Sequence, residues 1–445
     1  MTPPLSLPRK LLKNSIASRR RIILFPMKKL IYAAGVLSLG GASLAVQAAD
    51  GESKPWTVSL TTQGFYDSNI NTQPDGDGKI GSWGIYVTPS VDYTKVWDAS
   101  TLTLGASYGA TYFLNTEDTF SSDWQQSANF DVDFKHNFSP RMSLDISDSF
   151  QIFQNASQVL MGQTGRIEGN NIANDGSINL SVEIAPRWST VIGYQNLLYN
   201  YEEDNFAARL NRMENYGTVD IKYLLKPTTV ALVGAKAGNV DYNSGLGLYF
   251  PGLPVNSNFN PDSTIRNTRT YFAYGGLEHS FSPNFTGSLK AGAQIQDWVN
   301  FETETQVSPY LDANLTYAYT VGSKVQMGVI HRANATDAIG FDLQSPVLNQ
   351  ESTAFYVNLT HAITAKLTGS ILATYQNSEF VGGTWNGQTE NWWSVGSTLS
   401  YAFTRNLSGV VSYYFDSIDS QVNVQGDYYR NYNRNRVFFG VVASY

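Results

Sequence analysis

The 445-residue chain contains no cysteine, which excludes disulfide frameworks, thiolate metal sites and cysteine nucleophiles. Charge is also sparse. Lys, Arg, Asp and Glu make up 15% of the residues, against about a quarter in an average soluble domain. There are four histidines, none at metal-ligand spacing from another. Basic residues are concentrated at the start: eight of them and no acidic residue precede Ala49. The rest of the chain holds 22 basic against 37 acidic residues, a net charge of −15. That balance argues against a nucleic-acid partner, since phosphate binding needs a basic surface. Beyond Leu30–Val46 no apolar run is long enough to span a bilayer as a helix.

Aromatic residues are plentiful at 13%, and there are 37 glycines. This composition is not that of a disordered chain. Met27-Lys28-Lys29, the apolar stretch Leu30–Val46 and the small residues before Ala49 have the layout of a secretory signal peptide over 27–48, cut between Ala48 and Ala49. Residues 1–26 read as an upstream segment or an over-called start, and 49–445 as one domain.

From Trp56 onward apolar and polar residues alternate with period two, the pattern of strands with two different faces. Phe130, Val132 and Phe134 alternate with Asp131, Asp133 and Lys135; Leu311, Ala313 and Leu315 alternate with Asp312 and Asn314. No sustained helical period appears. Short turns fall near Asp98, Pro140, Arg187, Pro227, Pro283, Gly322, Ala365 and Arg405. Several share an apolar residue followed by Ser or Thr, as in Phe138-Ser139-Pro140-Arg141 and Phe403-Thr404-Arg405-Asn406. Longer Gly/Asn/Asp-rich segments lie between them, among them 69–78, 156–175, 202–211, 243–267 and 337–350. Eight short turns imply nine hairpins and about 18 strands (range 16–20), with Pro89 and Pro309 as interruptions. The predicted fold is all-β: a transmembrane antiparallel up-and-down β-barrel with short periplasmic turns and longer extracellular loops. A β-propeller has a similar repeat length, but it packs four short strands per unit and lacks the asymmetry between turns and loops.

A barrel of this size holds water, so polar side chains face inward and apolar ones face lipid. The predicted pore-lining residues are Asp131, Asp133, Lys135, Asp145, Glu183, Asp220, Lys222, Lys290, Asp312, Arg332 and Asp416. Seven acids against four bases favour cations or neutral solutes, and saccharides suit the inward parity of Phe272, Tyr274, Tyr356 and Tyr414. Tyr112/Phe113, Tyr199/Tyr201, Trp392/Trp393 and Tyr413/Tyr414/Phe415 are read as girdle residues, and the histidines as outward groups near the headgroups. Leu246, Leu248, Tyr249, Phe250 and Leu253 make the longest loop too apolar to wave in water, so it is expected to narrow the pore. Asp75-Gly76-Asp77-Gly78 lacks the spaced carboxylates of a calcium loop and reads as a tight turn. No catalytic residues, metal site or cofactor are expected.

Phe65-Tyr66-Asp67-Ser68-Asn69-Ile70, followed by Val87-Thr88-Pro89-Ser90-Val91-Asp92-Tyr93, resembles the opening of the outer-membrane porins of the "putative beta-barrel porin 2" type. Some members of that family are associated with exopolysaccharide export. The resemblance implies a channel in a Gram-negative outer membrane. The closing strand, with Val437, Phe439, Val441, Ala443 and Tyr445 on one face, resembles the signal read by the barrel-assembly machinery, with Tyr where Phe is commoner. The expected partners are therefore outer-membrane lipids, that machinery and small polar solutes, with a homo-oligomer left open. The expected function is passive diffusion of small polar solutes; the alternative is a barrel serving polysaccharide export or surface assembly, closed or gated by partners.

Overall fold

The computed structural model describes residues 54–74, 78–116, 122–155, 168–202, 204–242, 263–337, 347–424, 428–429 and 431–445. The upstream segment, the signal peptide with Ala48 and Ala49, Asp75–Asp77 and the apolar loop residues Leu246–Leu253 lie outside them.

Alternation becomes eighteen long strands: β1 (Trp56–Asp67), β2 (Ser82–Val96), β3 (Ser100–Phe113), β4 (Trp124–Ser139), β5 (Met142–Asn155), β6 (Glu168–Ala185), β7 (Trp188–Asn200), β8 (Arg212–Lys226), β9 (Thr229–Tyr242), β10 (Thr268–Ser282), β11 (Phe285–Trp298), β12 (Gln306–Thr320), β13 (Ser323–Asn334), β14 (Asn349–Ala362), β15 (Leu367–Val381), β16 (Thr389–Ala402), β17 (Leu407–Ser420) and β18 (Tyr432–Ser444). Each pairs antiparallel with the next, and β18 returns to β1 from Arg436↔Asp67 to Ser444↔Ser59. Closure leaves no sheet edge, so the backbone groups of the spanning strands are satisfied without water. No helix among the described residues is long and apolar enough to cross a membrane.

All eight short turns stand where the sequence places them. The shared Ser/Thr pins the reversal through its hydroxyl, which accepts the N–H two residues on: Arg141 to Ser139 Oγ (3.2 Å), Asn284 to Ser282 Oγ (3.3 Å) and Asn406 to Thr404 Oγ1 (3.2 Å). These local bonds hold the chain in a tight turn. At the β12–β13 turn Gly322 takes φ +73°, a conformation that costs glycine little.

Leu102, Leu104, Leu289, Ile295, Val325 and Met327 project outward, as expected from their parity. Val411 and Phe439 are half-exposed on the same face. All four histidines also face outward; His136 bonds Ser100 and His361 bonds Tyr319. Outward aromatics form interfacial pairs such as Tyr112/Trp124 and Trp188/Tyr223, as amphipathic rings do at headgroup depth.

Four expectations need correction. Glu168–Asp175 is strand, so the β5–β6 loop is shorter than its composition suggests. A helix, α1 (Asp204–Leu210), sits in the β7–β8 loop, too short to show a period. Phe113, Tyr199, Trp392 and Tyr414 lie on the inward parity, and Tyr201 is buried beyond the end of β7. Adjacent aromatics cannot both face lipid in a strand, so Tyr112/Phe113 and Trp392/Trp393 each contribute one ring outward and one inward, while Tyr199 and Tyr201, two residues apart, are both inside. Pro89 and Pro309 remain within strands, and their effect is on the ladder. Pairing of β2 with β3 skips Thr88-Pro89, and pairing of β12 with β13 stops at Leu311↔His331, just below Pro309. Proline has no N–H to give.

Candidate functional site: the barrel lumen

All eleven sequence-assigned pore residues stand on the inner face. Register carries the parity from strand to strand: Asp131 lies opposite Gly105 and Ser149, Lys135 opposite Asp145, and Lys290 opposite Asp312. Phe272, Tyr274, Tyr356 and Tyr414 are inward as well. These residues are spread around the circumference and divide into two kinds of wall.

Along β2–β6 the acids predominate. Asp92 and Asp131 flank Gly105, Asp131 is exposed to the lumen, and Asp133 and Asp145 are half-exposed. Asp131 and Asp175 have neutral donors, and Asp145 has a more distant cation. Ser149 donates to Asp131 (2.7 Å), Gln195 donates to Asp175 (3.0 Å), and Lys135 is 3.6 Å from Asp145. Glu183 lies near the periplasmic turn, 3.9 Å from Arg141.

On β8–β11 charges are paired at short range. Lys290 lies 2.9 Å from Asp220, which also accepts the Tyr274 hydroxyl at 2.5 Å, and Lys222 lies 2.6 Å from Glu278. Lys236 sits over the Tyr216 ring (3.9 Å) and Lys290 over Tyr274 (4.9 Å). Phe272, Tyr274 and Tyr310 pack together behind them. This wall offers aromatic faces and cations whose counter-charges are already in place.

At the extracellular end the chain after β13 turns inward. Gln294 of β11 receives the Ala333 N–H and donates to the Ala333 carbonyl, both at 2.9 Å. Beyond the end of β13, Asp337 accepts from Arg212 Nη1 (2.7 Å) and from the Tyr201 hydroxyl (2.8 Å). Arg212 also binds Glu214 (3.0 Å) and stacks over Tyr199 (4.1 Å). The fully buried Arg266 donates to the Thr336 carbonyl and packs over Tyr242. Burial, with the Asp337 charge beside it, holds the Tyr201 phenol well above its ordinary pKa. Residues 333–337, at the end of β13 and just beyond it, are thus tied inward to β8, β11 and the chain before β10; the loop residues Leu246–Leu253 that the sequence pointed to lie outside the described residues.

The Phe65–Ile70 motif closes the ring. Asp67 receives both Nε (3.0 Å) and Nη2 of Arg434 on β18 and caps the Asn69 N–H (3.1 Å). Asn69 is fully buried and donates to the carbonyls of Gln73 and Asn433. Phe65 and Ile70 pack with Tyr86, Phe113 and Phe438 on the lumen side. Beside them Arg436 binds Asp416 (2.6 Å), which also accepts from Ser394 (2.8 Å). At the periplasmic end Val58 and Tyr445 exchange backbone hydrogen bonds. Val437, Phe439, Val441 and Ala443 face outward from β18.

Several inner charges were missed by sequence reading: Asp67, Asp92, Asp175, Arg212, Glu214, Lys236, Glu278, Arg434 and Arg436. Asp175, Arg212 and Glu214 share the parity of assigned residues on their own strands, Glu278 that of Phe272 and Tyr274, and Arg434 and Arg436 alternate with the outward Val437 and Phe439; on β1, β2 and β9 no pore residue had been assigned to carry the parity to Asp67, Asp92 and Lys236. Asp337 lies outside any strand and has no parity to read.

The closed antiparallel barrel, with an aliphatic outside and a polar inside, has the architecture of an outer-membrane β-barrel. Residues 255–445 match the model of the family described as Putative beta-barrel porin 2, the family that the N-terminal motif, outside that stretch, resembles. Among solved structures the chain is similar to OpdK from Pseudomonas aeruginosa in a structure with vanillate (TM-score 0.44, 10% identity, 88% of this chain and 99% of that one). It is also similar to a BenF-like porin from Pseudomonas fluorescens Pf-5 (0.42, 11%, 89% and 100%) and to OccAB4 from Acinetobacter baumannii (0.41, 12%, 88% and 99%). No curated protein matches the chain.

Proposed function

We propose that the protein is a channel for passive diffusion of small polar solutes, cationic or neutral, with saccharides among the candidates. The half-exposed carboxylates of β2–β6 carry this reading: Asp131 faces water with Ser149 as its donor, and Asp145 stands 3.6 Å from Lys135. A cation or hydroxylated solute would exchange hydration for weak contacts with Asp131, Asp133, Asp145 and their serine neighbours, then leave without being trapped. Sugar rings would find stacking faces at Phe272, Tyr274 and Tyr310. Transport of this kind needs no covalent step and no cofactor. Reversal potentials of the purified protein in planar bilayers test the reading: cation preference supports it, and anion preference refutes it.

A second reading starts from the Arg212–Asp337–Tyr201 network, which fastens the inward-turned chain after β13 to β8 and the end of β7. On that reading the barrel serves export of a polysaccharide or a surface-assembly system and opens with a partner. Silence in bilayers, relieved by Asp337→Asn, would favour it over the first. The outward face of β18 is the surface we expect the barrel-assembly machinery to read.

A further inference from the structure

The two ends of the barrel differ in charge. At the extracellular end the exposed charges include Glu302, Glu304, Glu379 and Asp419. The periplasmic turns are basic. Arg141, Arg187, Lys226, Lys324, Lys366 and Arg405 stand exposed on or beside six of the eight, and Lys95 leads into a seventh. Lys54 lies at the same level before β1, over the rings of Tyr445 (3.8 Å) and Trp56 (5.4 Å). Among the described residues the acids on or beside these turns are Asp98 and Glu183, the latter 3.9 Å from Arg141.

These cations stand where the apolar outer surface ends. Next to the turns Phe138, Trp188, Leu225, Ile363 and Phe403 are each about half-exposed. Arg187 reaches back to the hydroxyl of the outward Tyr223 (3.5 Å). Three of the four histidines, His136, His279 and His361, lie two residues before Phe138, Phe281 and Ile363. Each gives Nδ1 to a hydroxyl of the neighbouring strand: Ser100 (2.8 Å), Thr229 (2.9 Å) and Tyr319 (2.8 Å). When the hydroxyl donates, Nε2 carries the ring hydrogen, and Nε2 has no hydrogen-bond partner among the described residues. Phe138 and Phe281 meet their histidines edge-on at 4.5 Å. The cation beside each imidazole is Arg141 or Lys366, five residues on, or Lys226 on the neighbouring turn.

We propose that this rim binds the phosphates of acidic glycerophospholipids in the periplasmic leaflet. The distribution of the cations chooses a leaflet over a protein partner. A docked protein needs its contacts on one side, whereas these run round the ring from the β2–β3 turn to the β16–β17 turn and on to Lys54. Lipid surrounds a barrel on every side. Acidic headgroups draw Lys and Arg at the membrane surface, and the neighbouring apolar side chains hold those cations at headgroup depth. A phosphate oxygen can accept from the imidazole and from the adjacent guanidinium or ammonium together.

The proposal deepens the outer-membrane reading, rests on it and is independent of the solute. With no native cysteine, a single fluorescent label reports on one end at a time. The full chain carrying Leu225→Cys at the periplasmic rim, or Val307→Cys at the extracellular end as control, is labelled and reconstituted in phosphatidylcholine vesicles. These contain a small share of either nitroxide-labelled phosphatidylglycerol or nitroxide-labelled phosphatidylcholine. Quenching by the first relative to the second measures the local preference for the acidic lipid, whichever way the barrel inserts. We expect the preference at position 225 to exceed that at 307 about fivefold, to weaken in high salt, and to vanish when Arg187→Gln and Lys226→Gln are added. Heat-modifiable gel mobility confirms that each variant is folded; if the double variant is not, Ile363→Cys with Lys366→Gln replaces it. Equal preference at the two ends, a preference at the rim indifferent to these substitutions, or cross-linking of position 225 to a periplasmic polypeptide with no lipid preference in vesicles overturns the proposal. A chain absent from the outer-membrane fraction of cells fails the membrane reading itself.

Discussion

The inner faces of β2–β6 and of β8–β11 obey the same alternation yet use charge differently. On β8–β11, Asp220 is almost wholly buried between Lys290 and Tyr274, and Lys222 is held by Glu278. On β2–β6, Asp131 and Asp145 stand half in water, with Ser149 beside one and Lys135 3.6 Å from the other. Paired charges in a low-dielectric wall brace it, and removing one partner strands the other. Carboxylates in water contribute little to stability and much to the field along the path. Position on the inner face does not by itself make a residue functional; exposure and partner decide it.

This contrast can be broken by substitution, and the ring closure gives the largest effect. It belongs with the braced class: Asp67 and Arg434 are both nearly inaccessible. Asp67→Leu leaves Arg434 buried without its carboxylate, a loss of about 3–5 kcal/mol by analogy with other buried pairs. The heat-modifiability midpoint should fall sharply, and a wild-type midpoint would remove Asp67 from that role. At the mouth, Asp337→Asn keeps the shape but removes the charge facing Arg212, at a cost of about 1–3 kcal/mol. Because Asp337 lies outside the strands, the effect should appear as larger or more frequent single-channel openings, with the melting of the barrel almost unchanged. On the acidic wall, Asp131→Asn with Asp133→Asn should change stability by no more than about 0.5 kcal/mol, while cation preference falls clearly. Asp220→Asn should do the reverse, lowering thermal stability and leaving selectivity nearly intact. If the two walls exchanged these responses, the distinction between them would be wrong.

Much of the fold was legible because each strand repeats one physical rule. Phe130, Val132 and Phe134 must meet lipid, so Asp131 and Asp133 must meet water; the turn hydroxyls of Ser139, Ser282 and Thr404 announce the reversals. What was not legible lacks such a rule. Trp392/Trp393 and Tyr413/Tyr414 look alike as residue types, and only the strand parity separates lipid from lumen. Asp337 is brought to Arg212 by the inward turn of the chain just after β13, and nothing local in the sequence marks that reach. Asp67 and Arg434 are 367 residues apart, joined only by closure of the ring.

The account is tested most directly by the reversal potential of the purified barrel in a planar bilayer under a salt gradient, measured for the native chain and for the triple variant Asp131→Asn, Asp133→Asn, Asp145→Asn. A cation-selective potential that moves toward zero in the triple variant is the predicted result. Anion selectivity in the native chain, or a potential unaffected by removing the three carboxylates, would contradict it.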